Sequence, residues 1–198
     1  MWCVDPDTDL DLVRRLRAGD WGAFDEVHRR FHPRLFSFLA RLARSRDVAE
    51  DLLEETWLRL VTHAKNLRPD TELGAWLFTV ARNLHVSYCR SRVLETGLAD
   101  DVLGLWPSGA RRPSPFEETA ASETERRLES ALASLPAAYR EVLLLVGVEG
   151  LQPIEAAAIC GVTPATLRQR LHRARTLLSQ RLERTNGTSV MSVSEVLP

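Results

Sequence analysis

Hydrophobic residues recur every three or four positions along most of this chain, a spacing that predicts helices with one buried side. The pattern runs from residue 9 to about residue 92 and resumes near residue 123. Between these blocks, residues 94–125 hold three glycines and three prolines and show no helical periodicity. We therefore predict an all-α protein with two small helical domains, at 9–93 and 126–185, joined by a flexible linker.

Polar and proline-containing segments divide both blocks into individual helices. Asp9 or Asp11 can cap the first helix, and Pro33 is expected to bend or interrupt the second. A break is expected at Pro136, and the tail at 186–198 is expected to be disordered. The helices predicted in this way span about 9–16, 21–44, 47–64, 73–92 and 137–148, with a loop at 65–72.

Residues 151–175, LQPIEAAAICGVTPATLRQRLHRAR, predict two short helices joined by a tight turn. Gly161 stands where the chain must reverse, and glycine accepts the positive φ that such a turn can demand. Thr163 is a good N-cap, and Pro164 suits the first position of the second helix. The apolar positions expected to face the core are Ile154, Ala157 and Ala158 on the first helix and Leu167 and Leu171 on the second.

The second of these helices carries its hydrogen-bond donors on the side away from its leucines. A helix held by its apolar face, with donors outside, is what a helix-turn-helix places in the major groove of DNA. The alternative is an ordinary helical hairpin with a solvated basic face. The residues predicted to point outward are Arg168, Gln169, His172, Arg173 and Arg175.

Charge is unevenly distributed, although the net charge is only −1. Residues 94–125 hold seven acidic and two basic side chains, whereas residues 126–185 hold nine basic and five acidic ones. This asymmetry suits a protein that contacts nucleic acid with one part only. Three scattered cysteines argue against a disulfide framework, and no apolar run has membrane-spanning length. We therefore expect a cytoplasmic protein with no membrane insertion.

Three segments together resemble one family. They are DVAEDLLEETWLRLV at 47–61, WLFTVARNL at 76–84 and SLPAAYREVLLLVGVEGLQPIEAAAICGVTPATLRQRLHRAR at 134–175. In this order, with an acidic linker between them, they are similar to bacterial RNA polymerase sigma factors of the extracytoplasmic-function (ECF) type. The resemblance implies a region 2 domain, a region 4 helix-turn-helix domain, and a transcription initiation factor that is not an enzyme and needs no cofactor.

The resemblance implies that the helix at 47–64 binds core RNA polymerase. Asp47, Asp51 and Glu54 share one face of this helix, because they are spaced at i, i+4 and i+7. An acidic face beside an aromatic anchor suits protein–protein docking, whereas a solvated acidic face is the simpler alternative. In the family, this helix contacts the β′ clamp helices. The candidate polymerase-binding residues are Asp47, Glu50, Asp51, Glu54 and Trp57.

The resemblance also implies two stretches that contact promoter DNA. The loop at 65–72 and the following helix correspond to the part that melts and reads the minus-ten element, where single-strand capture needs basic and polar donors. The recognition helix corresponds to the reader of the minus-thirty-five element, where Arg can pair with guanine and Gln with adenine. The minus-ten candidates are Lys65, Asn66, Arg68, Arg82, Asn83 and Arg90. The minus-thirty-five candidates are Thr166, Arg168, Gln169, Arg170, His172, Arg173 and Arg175.

The family further implies two protein partners beyond the clamp helices, namely the flap of the β subunit and an anti-sigma factor. Two rival functions stay open from the residues alone, a dimeric helix-turn-helix regulator and a protein-binding adaptor. An enzyme is disfavoured, because no nucleophile or phosphate-loop motif is present. His28 with His32, and His85 with Cys89, could each form half a metal site, but neither has the further ligands that zinc requires, so no metal is predicted.

Overall fold

The computed structural model describes residues 6–96, Phe116 and residues 122–191. Every regular element in these ranges is helical, which confirms the all-α prediction. The first domain contains α1 (Pro6–Arg17), α2 (Trp21–Ala43), α3 (Arg46–His63), a 3₁₀ turn (Ala64–Asn66) and α4 (Leu73–Thr96). The second contains α5 (Glu123–Ala133), α6 (Ala137–Leu143), a π-helical turn (Leu144–Val148), α7 (Pro153–Cys160) and α8 (Pro164–Met191).

Helix α2 forms the centre of the first domain. Phe31, Leu35 and Phe38 are fully buried on it, and α1, α3 and α4 pack around them. Pro33 does not interrupt the helix, because α2 continues through it as one 23-residue helix. Pro33 lies on the exposed side, while buried residues before and after it fix both halves of the helix to the same core. Core packing therefore outweighs the hydrogen bond that proline cannot make.

The first elements of the second domain, α5, α6 and the π-helical turn, are fixed by capping at the start of α5 and by burial of apolar side chains. Ser122 and Glu125 form a capping box at the start of α5, with each side chain bound to the other residue's backbone N–H. The apolar run at 142–145 is buried at all four positions. The continuous helix predicted at 137–148 is, however, an α-helix followed by a π-helical turn. This wider turn lets the backbone N–H of Leu151 reach the carbonyl of Leu145, at 3.0 Å.

Helices α7 and α8 form the predicted helix-turn-helix. Gly161 adopts φ +64°, and the backbone N–H of Thr166 donates to the Thr163 hydroxyl at 3.2 Å. Leu167 and Leu171 are buried, as predicted. The prediction for α7 was wrong in its register, since Ile154 is 67% exposed and Ala158 is also exposed. The residues that α7 buries instead are Ala156, Ala157, Ile159 and Cys160.

Helix α8 continues to Met191, six residues into the segment expected to be a disordered tail. No helix in the described ranges combines the length and apolar character needed to cross a membrane. The two domains pack together, with α4 against α7 and α2 against α6.

Candidate protein and nucleic-acid interfaces

The recognition helix α8 presents a basic outer face from a buried apolar base. Leu167, Leu171 and Ala174 anchor it in the second domain. Arg170 and Thr166 are half-buried, and the Thr166 hydroxyl lies 2.8 Å from that of Thr163, within the N-cap. The exposed candidates on this helix are Arg168, Gln169, His172, Arg173 and Arg175.

No carboxylate in the described ranges pairs with the arginines at 168, 173 and 175. Their charge is therefore available to an external anion such as a DNA phosphate. The arginines project from one short helical segment whose base is rigidly packed. This arrangement can place several donors in a groove at fixed spacing.

One face of α3 combines acidic and apolar side chains that are all exposed. Asp47, Asp51 and Glu54 are followed on this face by Leu58, which is 57% exposed, and Val61, which is 41% exposed. The spacing of four, three, four and three residues keeps all five on one stripe. We call these five residues the α3 stripe. Exposed apolar residues beside charged ones are typical of a protein-docking surface.

The other two candidates on α3 are placed differently. Glu50 forms an ion pair with Arg46 at 2.8 Å, and both side chains are well exposed, so the pair contributes little to stability. Trp57 is only 8% exposed. Its ring packs edge-on to Phe24 and lies 4.7 Å, centroid to centroid, from His28. Trp57 thus holds α3 against α2, and Leu58, which sequence reasoning missed, takes the exposed position beside the acidic residues.

The minus-ten candidates fall into two groups. Lys65, Asn66 and Arg68 are exposed on the 3₁₀ turn and the loop after it, and Arg68 pairs with Asp70 at 3.0 Å. Asn83 and Arg90 are exposed on α4. These five side chains are accessible to a ligand from solvent.

Arg82, also on α4, is engaged within the protein. Its Nε donates to the Glu141 carboxylate at 2.7 Å, and only 18% of the arginine side chain is exposed. The Glu141 side chain is 2% exposed. Arg82 therefore bridges the two domains and is not accessible in this arrangement.

Two more charged pairs join the domains, and sequence reasoning missed both. Arg34 Nε donates to Glu149 at 2.9 Å, and Arg41 holds Glu129 through both carboxylate oxygens, with a shortest distance of 2.7 Å. The Glu149 carboxyl group is buried, and desolvation raises its pKa although the positive charge of Arg34 opposes the shift. At Glu141, the sequence did offer a signal of a buried ion pair, because this glutamate lies within the apolar helix predicted at 137–148.

Neither pair of metal-ligand candidates is supported by a third ligand. No group of three His, Cys, Asp or Glu side chains that could hold a metal ion occurs within the described ranges. His85 and Cys89 are buried neighbours, with Nε2 and Sγ 3.7 Å apart. Burial, with the nearby positive charges of Arg140 and Arg82, lowers the pKa of His85 to about 3. Burial raises the pKa of the Cys89 thiol to about 12. Both groups are therefore neutral at neutral pH.

A helical domain joined to a helix-turn-helix domain is the architecture expected of a sigma factor. Family models agree. Residues 27–94 match sigma-70 region 2, and residues 125–178 match sigma-70 region 4. The chain belongs to the ECF RNA polymerase sigma factors, which are transcription initiation factors and not enzymes.

Individual relatives cover most of the chain. The ECF sigma factor EcfG of Rhodopseudomonas palustris is 39% identical over 147 residues, which span 74% of this chain and 78% of the relative. SigM of Bacillus subtilis is 31% identical over 76% of this chain and 90% of its own length. The sigma factor RpoE from Bartonella quintana, solved in complex with the anti-sigma factor NepR, has 32% identity and a TM-score of 0.66. That match covers 81% of this chain and 96% of RpoE.

Proposed function

We propose that this chain binds core RNA polymerase through the α3 stripe and directs the enzyme to a particular set of promoters. The observation that carries the polymerase contact is the stripe itself, because three acids that pair with no basic residue in the described ranges share one helix face with two exposed apolar residues. Such a face offers charge for orientation and apolar area for affinity. The β′ clamp helices are the partner that we assign to it.

Promoter recognition is divided between the domains in this proposal. The exposed donors of the loop after α3 and of α4 capture the melted minus-ten element, where bases and phosphates are accessible. The outer face of α8 reads the minus-thirty-five element in the major groove. The exposed arginines at 168, 173 and 175 on α8 support this assignment, since no carboxylate in the described ranges pairs with them.

An anti-sigma factor is the proposed inhibitor, because the Bartonella relative was solved with one bound. The β flap is a further proposed contact of the second domain. The exposed Val148 and Ile154, at 52% and 67%, give that domain an apolar surface for a protein partner.

The test is holoenzyme formation with bacterial core RNA polymerase, followed by transcription from a library of genomic fragments. We expect stable co-elution and transcripts that share a promoter motif. Asp51→Arg should reduce core binding at least about tenfold, because it reverses a charge within the docking face. Asp25→Arg, an exposed acid on α2 outside the stripe, is the matched control and should bind normally.

Two results would argue against this function. Equal core binding by the Asp51→Arg and wild-type proteins would remove the stripe from the interface. Failure of the wild-type chain to bind core, combined with tight binding to duplex DNA by the chain alone, would favour the helix-turn-helix regulator instead.

A further inference from the structure

Among the described residues, ion pairs at three places cross between the domains, and in each the arginine belongs to the first domain and the carboxylate to the second. We call them the interdomain latch, and they are Arg34–Glu149, Arg41–Glu129 and Arg82–Glu141. The shortest distance in each pair lies between 2.7 and 2.9 Å. Three charge-assisted contacts of the same polarity indicate electrostatic complementarity between the two surfaces.

The carboxylates of the latch are almost fully withdrawn from solvent. The side chains of Glu149, Glu129 and Glu141 are 5%, 11% and 2% exposed, respectively. A buried carboxylate that loses its partner but stays buried is strongly unfavourable, whereas one that is released to water is solvated again. The pairs therefore favour either a fully closed or a fully open chain, and their net contribution is small enough for the closure to be reversible.

Phe116, a residue of the linker, lies at the same place. The Arg41 guanidinium carbon lies 3.9 Å from the centroid of the Phe116 ring, within cation–π distance. Phe116 thus covers the Arg41–Glu129 pair from the linker side. The bidentate geometry on one side and the aromatic ring on the other fix this arginine more firmly than a surface pair would.

Closure occupies a group that the proposed function needs. Arg82 is one of the proposed minus-ten donors, yet its guanidinium is bound to Glu141. Glu141 takes the Nε donor, and only 18% of the Arg82 side chain is exposed, so the closed chain leaves little of this guanidinium open to a DNA phosphate. We propose that the interdomain latch holds the free chain closed, with Glu141 standing in for a phosphate at Arg82, so that closure competes with single-stranded DNA. The competition rests on the proposed function, whereas the closure does not.

The variant that tests both statements is Arg41→Glu. It places a second carboxylate opposite Glu129, and Arg41 is outside every proposed binding set. Small-angle X-ray scattering of the free chain should show a larger radius of gyration than wild type. The double variant Arg41→Glu/Glu129→Arg restores opposite charges and should return towards the wild-type value. Arg29→Glu, an exposed position on the same helix with the same charge change, should scatter like wild type.

DNA binding supplies the second readout, measured by fluorescence anisotropy with a random single-stranded 12-mer. Arg41→Glu should bind roughly threefold to tenfold more tightly than wild type, because only open chains bind and the variant raises their fraction. Charge alone predicts the opposite, since the variant is more acidic. Arg29→Glu should bind no better than wild type, because it leaves the latch intact.

The outcomes separate the two proposals. If Arg41→Glu, folded by circular dichroism, is as compact as wild type, the latch is overturned, whether or not the chain forms holoenzyme. If Arg41→Glu opens but binds DNA no more tightly, the competition is overturned. If the scattering behaves as expected and the wild-type chain binds neither core polymerase nor DNA, the closure stands and the proposed function fails.

Discussion

Arg140 shows how one buried side chain can terminate helices in two domains. Its guanidinium donates to the carbonyls of Arg41 and Leu42, at the end of α2, and to those of Leu132, Ala133 and Leu135, at and just beyond the end of α5. The last carbonyls of a helix have no partner within it and carry the negative end of the helix dipole. All five N–H groups are thus used, and the charge is stabilised without a carboxylate. Burial lowers the pKa of Arg140 only to about 10, so it stays charged at neutral pH.

His85, close to Arg140, makes the stability of the protein sensitive to acid. Its folded-state pKa of about 3 lies below the ordinary value of 6.5, so the neutral ring is favoured by folding. The contribution is present above pH 6.5 and is lost as the pH falls towards 3. Between pH 7 and pH 5, the free energy of unfolding should fall by about 2 kcal/mol from this group alone.

Urea unfolding of wild type and His85→Gln at pH 7 and pH 5 measures the contribution of His85 to the free energy of unfolding. The variant is less stable at pH 7 if packing is lost, but its further loss at pH 5 should be smaller by about 2 kcal/mol. An identical loss in both proteins would show that His85 does not titrate in this way.

At the scale of elements, local signals predicted the helices and the turn of the helix-turn-helix correctly, but not which face of α7 is buried. Gly161, Thr163 and Leu167 occupy the predicted turn, cap and core positions, because backbone conformation and capping are decided by neighbouring residues. The face of α7 was predicted wrongly, since three consecutive alanines give no hydrophobic direction and Ile154 faces solvent. Trp57 is buried by contacts with α2, at 24–32, which no local pattern on α3 encodes.

On the recognition helix, we predict that one arginine recognises bases and another contacts phosphates. Arg168 and Arg173 are both exposed and pair with no carboxylate in the described ranges, but Arg168 lies five residues closer to the N-terminus of α8, the end that enters the groove. Arg168→Ala should weaken binding to one promoter sequence by about 1–3 kcal/mol relative to others. Arg173→Ala should weaken all sequences about equally and lower the salt dependence.

Holoenzyme binding to a panel of minus-thirty-five variants, titrated with salt, distinguishes these roles. Each variant is the charge control for the other, since both remove one exposed arginine from the same helix. A uniform loss with both variants would mean that neither arginine reads bases.

At the scale of the whole molecule, two domains predicted separately form one closed unit. The arginines and carboxylates of the latch are 59 to 115 residues apart along the chain, so no local pattern could have paired them. Sequence marked Arg82 as a DNA donor and passed over Glu141, although the structure joins them. The helical content was predictable from periodicity, whereas the contact between domains depends on tertiary packing.

Closure should couple the unfolding of the domains. Arg34 opposes the desolvation that raises the pKa of Glu149, and losing that partner leaves a buried carboxyl group without its compensating charge. By calorimetry, wild type should unfold in one transition, whereas Arg34→Gln should show two. The transition of the second domain should move down by about 4–8 °C for each kcal/mol of coupling lost. Arg29→Gln, on the same helix but exposed, should keep the single transition. Two transitions in wild type would mean that the domains unfold independently even when closed.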